Sequence, residues 1–277
     1  MALPPFDAPA VRRHLVSFLR AYAEESRAQG YVLGLSGGVD SALAAALAVE
    51  AVGAERVLGL LLPHATSDPT DAAHGELLAR RLGVPFERVE ITPVADAVER
   101  ACAAHPLSGV AAHNVRPRAR MMVLYAHAAA TGRLVVGTGN KSELLTGYFT
   151  KWGDGAADVY PLGDLYKTQV WELSRLLDLP REIVEKPPSA GLYAGQTDEG
   201  DLGIRYADLD TVLAELEAGH DAATAARRAG VPPEAARAVE ARVRASAHKR
   251  NPLVIPKVGF RTPGWDWREP RLRGGAP

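Results

Sequence analysis

Cysteine is almost absent from this chain: Cys102 is the single one in 277 residues. That excludes an internal disulfide, a cysteine-built zinc cage and a C-x-x-C redox pair, and a lone thiol is more simply a small buried apolar residue than a nucleophile. Net charge is also lacking. Lys and Arg number 32 against 33 Asp and Glu, a formal charge of -1, so bulk electrostatics make no case for nucleic acid or a membrane surface. No window approaches about 18 uncharged apolar residues, so no spanning helix is expected. Asp7, Arg12, Arg13 and His14 interrupt any apolar core of a signal peptide, and the cytoplasm is the expected compartment. What remains is ordinary for a globular protein: 47% hydrophobic and 23% charged residues. With no repeat and no low-complexity linker, a single domain over 1–277 is expected, with an α/β core at about 30–165 and a helical part and tail at about 166–277.

The densest signal is Ser36-Gly37-Gly38-Val39-Asp40-Ser41. It follows a β-type run, Tyr31-Val32-Leu33-Gly34-Leu35, and leads into an alanine-rich helical run from Ala42 to Val49. Small residues at a strand-to-helix turn let backbone amides and the positive end of the helix dipole approach an anion. Ser36 and Ser41 add hydroxyl donors, and Asp40 can hold a cation beside phosphates. The loop has neither the lysine of G-x-x-x-x-G-K-[ST] nor the spacing of G-x-G-x-x-G. A glycine-rich turn before an ordinary core helix is the plainer alternative.

Helices are expected at about Pro9–Ala28, to Val52, and at Asp71–Leu82, Val94–Ala103 and Arg118–Ala130. Strands are expected at Val57–Leu62, Phe86–Ile91 and Leu134–Gly137. This alternation predicts a doubly wound parallel sheet covered by helices on both faces, with ligands at the carboxyl ends of the strands. Beyond Pro161 the pattern turns helical: Tyr166–Leu177, Tyr206–Glu217, Asp221–Ala229 and Pro233–Lys249. The stretch from Lys186 to Asp201 holds Pro187, Pro188, Gly191, Gly195 and Gly200. It reads as a mobile lid or equally as a linker, and His64 to His74 is a second lid candidate. From Lys249 the tail carries Lys249, Arg250, Lys257, Arg261, Arg268, Arg271 and Arg273 against Asp266 and Glu269. A solvated tail or a contact with an anionic ligand would both suit it.

A second constellation runs from Gly137-Thr138-Gly139-Asn140 through Glu143 to Lys151, Asp154 and Asp158 in a glycine-rich loop. Each charge alone reads as a solvated loop residue. The SGG-x-DS turn, however, resembles the pyrophosphate-binding loop of ATP pyrophosphatases. LGLSGGVDSALA, NVRPRARMMVLY, VVGTGNKSELLTGYFTKWGDGAADVYPLGDLYKTQV, KPPSAGLYAGQTDEGDLGI and HKRNPLVIPK together resemble ammonia-dependent NAD synthetases, from Ser36 to about Lys257. The resemblance implies a Rossmann-like α/β fold of the adenine nucleotide alpha hydrolase type and a homodimer with the dinucleotide site at the subunit interface.

By that resemblance, Gly34, Leu35, Ser36, Gly37, Gly38, Val39, Asp40 and Ser41 hold ATP phosphates, and Thr138, Lys167 and Ser189 also contact ATP. Asp40 and Glu143 are the Mg2+ ligands, and Arg118, Lys151, Asp158, His248 and Lys249 grip deamido-NAD. Asp40, Glu143 and Lys167 carry the catalysis. The implied reaction adenylates the nicotinate carboxylate, releases pyrophosphate, and lets ammonia displace AMP to give NAD. Glutamine-using members carry an additional nitrilase-type domain, for which there is no room before Ser36. Free ammonia is the expected donor, with a separate glutaminase subunit as an alternative. Asn140 and Val39 stand where the familiar bacterial form often has His and Gln, while Lys141-Ser142 and the stretch Lys186-Pro187-Pro188-Ser189-Ala190-Gly191-Leu192 resemble a second branch found in archaea and some bacteria; the adenine contacts stay unassigned. The rival readings are another ATP-pyrophosphatase amidotransferase or thiolase, and a non-catalytic nucleotide-binding module.

Overall fold

The computed structural model describes residues 5–191, 193, 195–251 and 254–262. Tail residues Arg268, Arg271, Arg273, Asp266 and Glu269, and positions 192 and 194 of the candidate lid, lie outside the described residues. Helix α1 (Ala8–Glu25) opens at Asp7, whose carboxylate accepts from the Ala10 amide at 2.9 Å. Strand β1 (Tyr31–Gly34) follows. A side chain at Gly30 would collide with the Arg56 carbonyl, so this glycine admits a neighbouring backbone as well as ending the helical pattern. Helix α2 (Val39–Val52) is buried on nearly every side, which explains its alanines: small side chains let α1 and α8 (Lys167–Leu176) pack closely against it.

Strands β2 (Val57–Leu61), β3 (Phe86–Arg88) and β4 (Leu134–Val135) complete a parallel sheet in the order β3-β2-β1-β4. Val32 of β1 pairs with Leu58 on one side and Val135 on the other. Both faces are covered. Tyr31 and Leu33 point into the cluster with α1, α2 and α8, while Val32 points into the cluster with α4 (Thr92–Ala101) and α6 (Val115–Thr131). The doubly wound expectation is met.

Two strands are shorter than expected, for one reason. Past Arg88 the chain still bonds its neighbour, Val89 N to Leu61 O and Ile91 N to Pro63 O, both at 2.9 Å. Past Val135, Val136 N bonds Val32 O at 2.9 Å and bridges to Val159 in parallel. Backbone bonds of the sheet thus run on past the two strands into the loops at its carboxyl edge.

Helices α3 (Pro69–Leu82), α5 (Val110–His113), α7 (Lys141–Thr146), α9 (Arg181–Val184) and α10 (Asp198–Leu202) fill the connections. The last interrupts the stretch expected to be irregular throughout. Helices α11 (Tyr206–Glu217), α12 (Ala222–Ala229) and α13 (Pro233–Ala245) build a separate apolar cluster around Tyr206, Leu209 and Val212. Trp171 of α8 packs against both this cluster and the sheet cluster. Ser246 separates α13 from α14 (Ala247–Arg250), where one continuous helix is expected from the sequence. Among the described residues no helix is long and apolar enough to cross a membrane.

Candidate active site

A cleft of about 1170 Å³ opens at the carboxyl edge of the sheet. Pockets for one small ligand run to roughly 300–1,000 Å³, so this one has room for more than one substrate. Gly34, Leu35, Ser36, Gly38, Val39, Asp40 and Ser41 line it. Gly37 turns the loop at φ +75°, and a side chain there would strike the Asp71 carbonyl of α3. Ser36 Oγ and Ser41 Oγ lie 3.0 Å apart, and Ser41 Oγ donates to Gly38 O at 2.9 Å. Asp7, Asp68, Asn140, Thr197 and Asp221 cap α1, α3, α7, α10 and α12 with their side chains. No side chain caps α2, and its first-turn residues Val39, Asp40 and Ser41 line the cleft. An uncapped helix N-terminus above a glycine turn is a seat for an anion.

Asp40, Glu143 and Lys167 come together from three elements. Lys167 Nζ bonds Asp40 Oδ2 and lies 3.7 Å from Glu143 Oε1. Asn140, fully buried, donates from Nδ2 to Asp40 Oδ1 at 2.9 Å. Its Oδ1 accepts from Glu143 N at 3.0 Å, while Glu143 Oε2 accepts from Asn140 N at 3.1 Å. This capping box starts α7 and fixes both carboxylates at once. Lys167 is held from behind: its amide donates to Ser142 Oγ at 3.0 Å, and Asp210 accepts from the Thr168 amide and hydroxyl at 2.9 and 2.8 Å.

Burial and then the Asp40 charge push the Glu143 carboxyl up to about 8, with Lys167 pulling the other way. For Lys167, burial favours the neutral amine, but Asp40 and Glu143 outweigh it and hold the ammonium protonated well above the usual lysine range. Two hard carboxylates in an anionic cleft fit a divalent cation. Among the described residues no group of three or more His, Cys, Asp or Glu side chains is arranged for a metal. Asp40 and Glu143 offer hard oxygen donors, a kind that suits an ion completed by water and phosphate oxygens, such as Mg2+.

Thr138, Ser189 and Lys249 line the same cleft. Lys249 Nζ donates to Gly147 O and Phe149 O at 2.7 and 2.6 Å. Arg118, Lys151, Asp158 and His248 lie outside its lining. Three of these adjoin one another: Arg118 donates to Lys151 O at 3.3 Å, and Lys151 Nζ to His248 O at 2.9 Å. Asp158 instead accepts from Val135 N at 2.7 Å and from the Tyr125 hydroxyl at 3.3 Å, tying the strand edge to α6. The sequence reading assigned no role to Asn140, Arg120 or Asp198, though all three stand in the stretches that carry the resemblance. Arg120 lines the cleft and donates from Nε to Leu62 O at 2.9 Å.

Residues 11–253 match the family model described as NAD synthase. An NH(3)-dependent NAD(+) synthetase of Methanococcoides burtonii is 45% identical over 249 residues, 89% of this chain and 93% of that protein. The solved structure of an NMN synthetase from Francisella tularensis superimposes with TM-score 0.81 at 36% identity, covering 91% of this chain and 99% of its own. An NH3-dependent NAD synthetase from Campylobacter jejuni gives TM-score 0.76 at 30% identity, covering 92% and 99%.

Proposed function

Because the chain belongs to the NAD synthase family, we propose that it amidates deamido-NAD with ammonia, converting ATP to AMP and pyrophosphate. The observation that carries this reading is the meeting of Asp40, Glu143 and Lys167 beside an anion loop without a Walker lysine. The loop amides and Ser41 seat the triphosphate, and Lys167 presents its ammonium to the leaving pyrophosphate. Mg2+ held by Asp40 and Glu143 would neutralise phosphate charge and orient the α-phosphorus for attack. No residue need act as a covalent nucleophile, because the nicotinate carboxylate attacks; positioning two anionic substrates supplies most of the rate.

Arg118, Lys151, Asp158, His248 and Lys249 would receive deamido-NAD. Arg118, Asp158 and His248 are exposed in the single chain, which supports a site completed by a second copy in a homodimer.

The test mixes purified protein with deamido-NAD, ATP, magnesium and ammonium, reading NAD by coupled alcohol dehydrogenase and AMP alongside. Equal NAD and AMP with ammonium, and neither with glutamine, is the expected result. AMP without NAD would move amidation to a missing partner; no AMP would overturn the reading. A third tube offers the deamidated mononucleotide, the acceptor that the name of the Francisella neighbour suggests.

A further inference from the structure

Asp198 is the first residue of α10 and is 4% exposed. It lines the cleft, and its backbone amide donates to Pro188 O at 3.0 Å, which fixes its place. Its Oδ2 accepts the Tyr206 hydroxyl at 3.0 Å. Its Oδ1 is buried and makes no hydrogen bond of good geometry, the neighbouring Tyr148 hydroxyl donating instead to Asp201 at 2.8 Å. A buried carboxylate oxygen left unbonded is costly and calls for a cation or a donor nearby.

Lys167 is a cation whose charge acts on the Asp198 carboxyl. Its Nζ lies 5.3 Å from the centroid of the Tyr206 ring, whose hydroxyl binds Asp198. The ammonium therefore stands with Asp40 and Glu143 on one side and the Tyr206 ring, backed by Asp198, on another. Lys167 and Asp198 act on each other: Lys167 lowers the Asp198 carboxyl against the larger effect of burial, and Asp198 adds to what keeps Lys167 protonated. Asp40 and Glu143 are the residues that a cation would engage. Once engaged, they hold the ammonium less strongly, and the carboxylate behind Tyr206 becomes its remaining protein countercharge.

We infer that Asp198 is a positioning residue for Lys167, holding the ammonium at the cleft wall through the Tyr206 ring while Asp40 and Glu143 serve the metal. This rests on the function proposed above and adds a residue to it.

Asp198→Asn is the discriminating change, since its carbonyl still accepts the Tyr206 hydroxyl while the charge is lost. The expected result is a fall in kcat for NAD formation on the order of 100-fold, with KM for ATP and deamido-NAD unchanged. Tyr206→Phe keeps the ring but cuts the link and lowers kcat about tenfold, and the double variant is no worse than Asp198→Asn alone. In a crystal structure of Asp198→Asn with magnesium and ATP bound, Lys167 Nζ leaves its place over the Tyr206 ring. Wild-type kcat in Asp198→Asn overturns the inference, as does a raised KM at unchanged kcat, a double variant that multiplies the single losses, or a Lys167 that keeps its place over the ring. Should Asp198→Asn lose its near-UV circular dichroism, Tyr206→Phe decides, and wild-type kcat there overturns it. Wild-type protein that forms no NAD fails the function itself, while the crystal structure still reads whether Asp198 places Lys167.

Discussion

Asn140 shows how much a single residue can set. One amide group bonds Asp40 from Nδ2 and receives the Glu143 amide at Oδ1, so it spaces the two candidate metal ligands. Asp40→Asn and Glu143→Gln should each lower turnover by orders of magnitude, with far-UV circular dichroism unchanged; a near-normal rate in either variant would remove that residue from the metal site. Asn140→Ala leaves Asp40 Oδ1 and the Glu143 amide without their partner, and is expected to raise the magnesium concentration needed for half-maximal rate. Asp40 and Glu143 were legible from the sequence because each sits just after a strand end in a motif of small and polar residues. Asp198 was not, since its burial and the unbonded state of one oxygen follow from packing by α11, which nothing local encodes.

At the scale of elements, the loop works because α3 lies directly against it. Gly37 takes φ +75° with no room for a side chain beside the Asp71 carbonyl. A side chain at Gly75 on α3 would lie 2.6 Å from Leu61 Cδ2 and 2.7 Å from Leu35 O. Gly75→Ala must push α3 away from the ends of β1 and β2, destabilising the fold by about 1–3 kcal/mol and weakening ATP binding, since Leu35 belongs to the loop. Urea unfolding and calorimetric titration with ATP check both; an unshifted ATP affinity would show that the loop keeps its shape without α3. The strand–helix alternation and the helices after Tyr166 were readable, because apolar runs and 3.6-residue periodicity are local signals. Short α5, α9 and α10 were not, since four or five residues hold little more than one turn and cannot repeat a pattern. The strands expected to reach Ile91 and Gly137 end at Arg88 and Val135 because scattered backbone bonds continue past the paired ladder, and composition does not mark where the ladder stops.

At the scale of the whole molecule, burying Glu143 beside Asp40 opposes its ionisation until substrates arrive. Burial and the Asp40 charge raise the Glu143 carboxyl from its ordinary value to about 8 in the folded state. Between its ordinary value, near 4.5, and about 8, the folded chain therefore binds a proton there that the unfolded chain does not. Stability from this group is greatest below that window and is lost as pH rises through it. Burial raises the Asp198 and Asp210 carboxyls in the same direction, so the comparison must isolate Glu143. Glu143→Gln keeps the side chain's shape and removes its titration. Urea unfolding of ligand-free protein at pH 5 and pH 9 should then show the variant gaining stability relative to wild type as pH rises. If wild type instead gains relative to the variant, the ion pair with Lys167 outweighs burial, and Glu143 is charged before any metal arrives. Saturating magnesium and ATP, which bind the folded state, should narrow or reverse the gap at pH 9, because the cation supplies the charge that burial withholds.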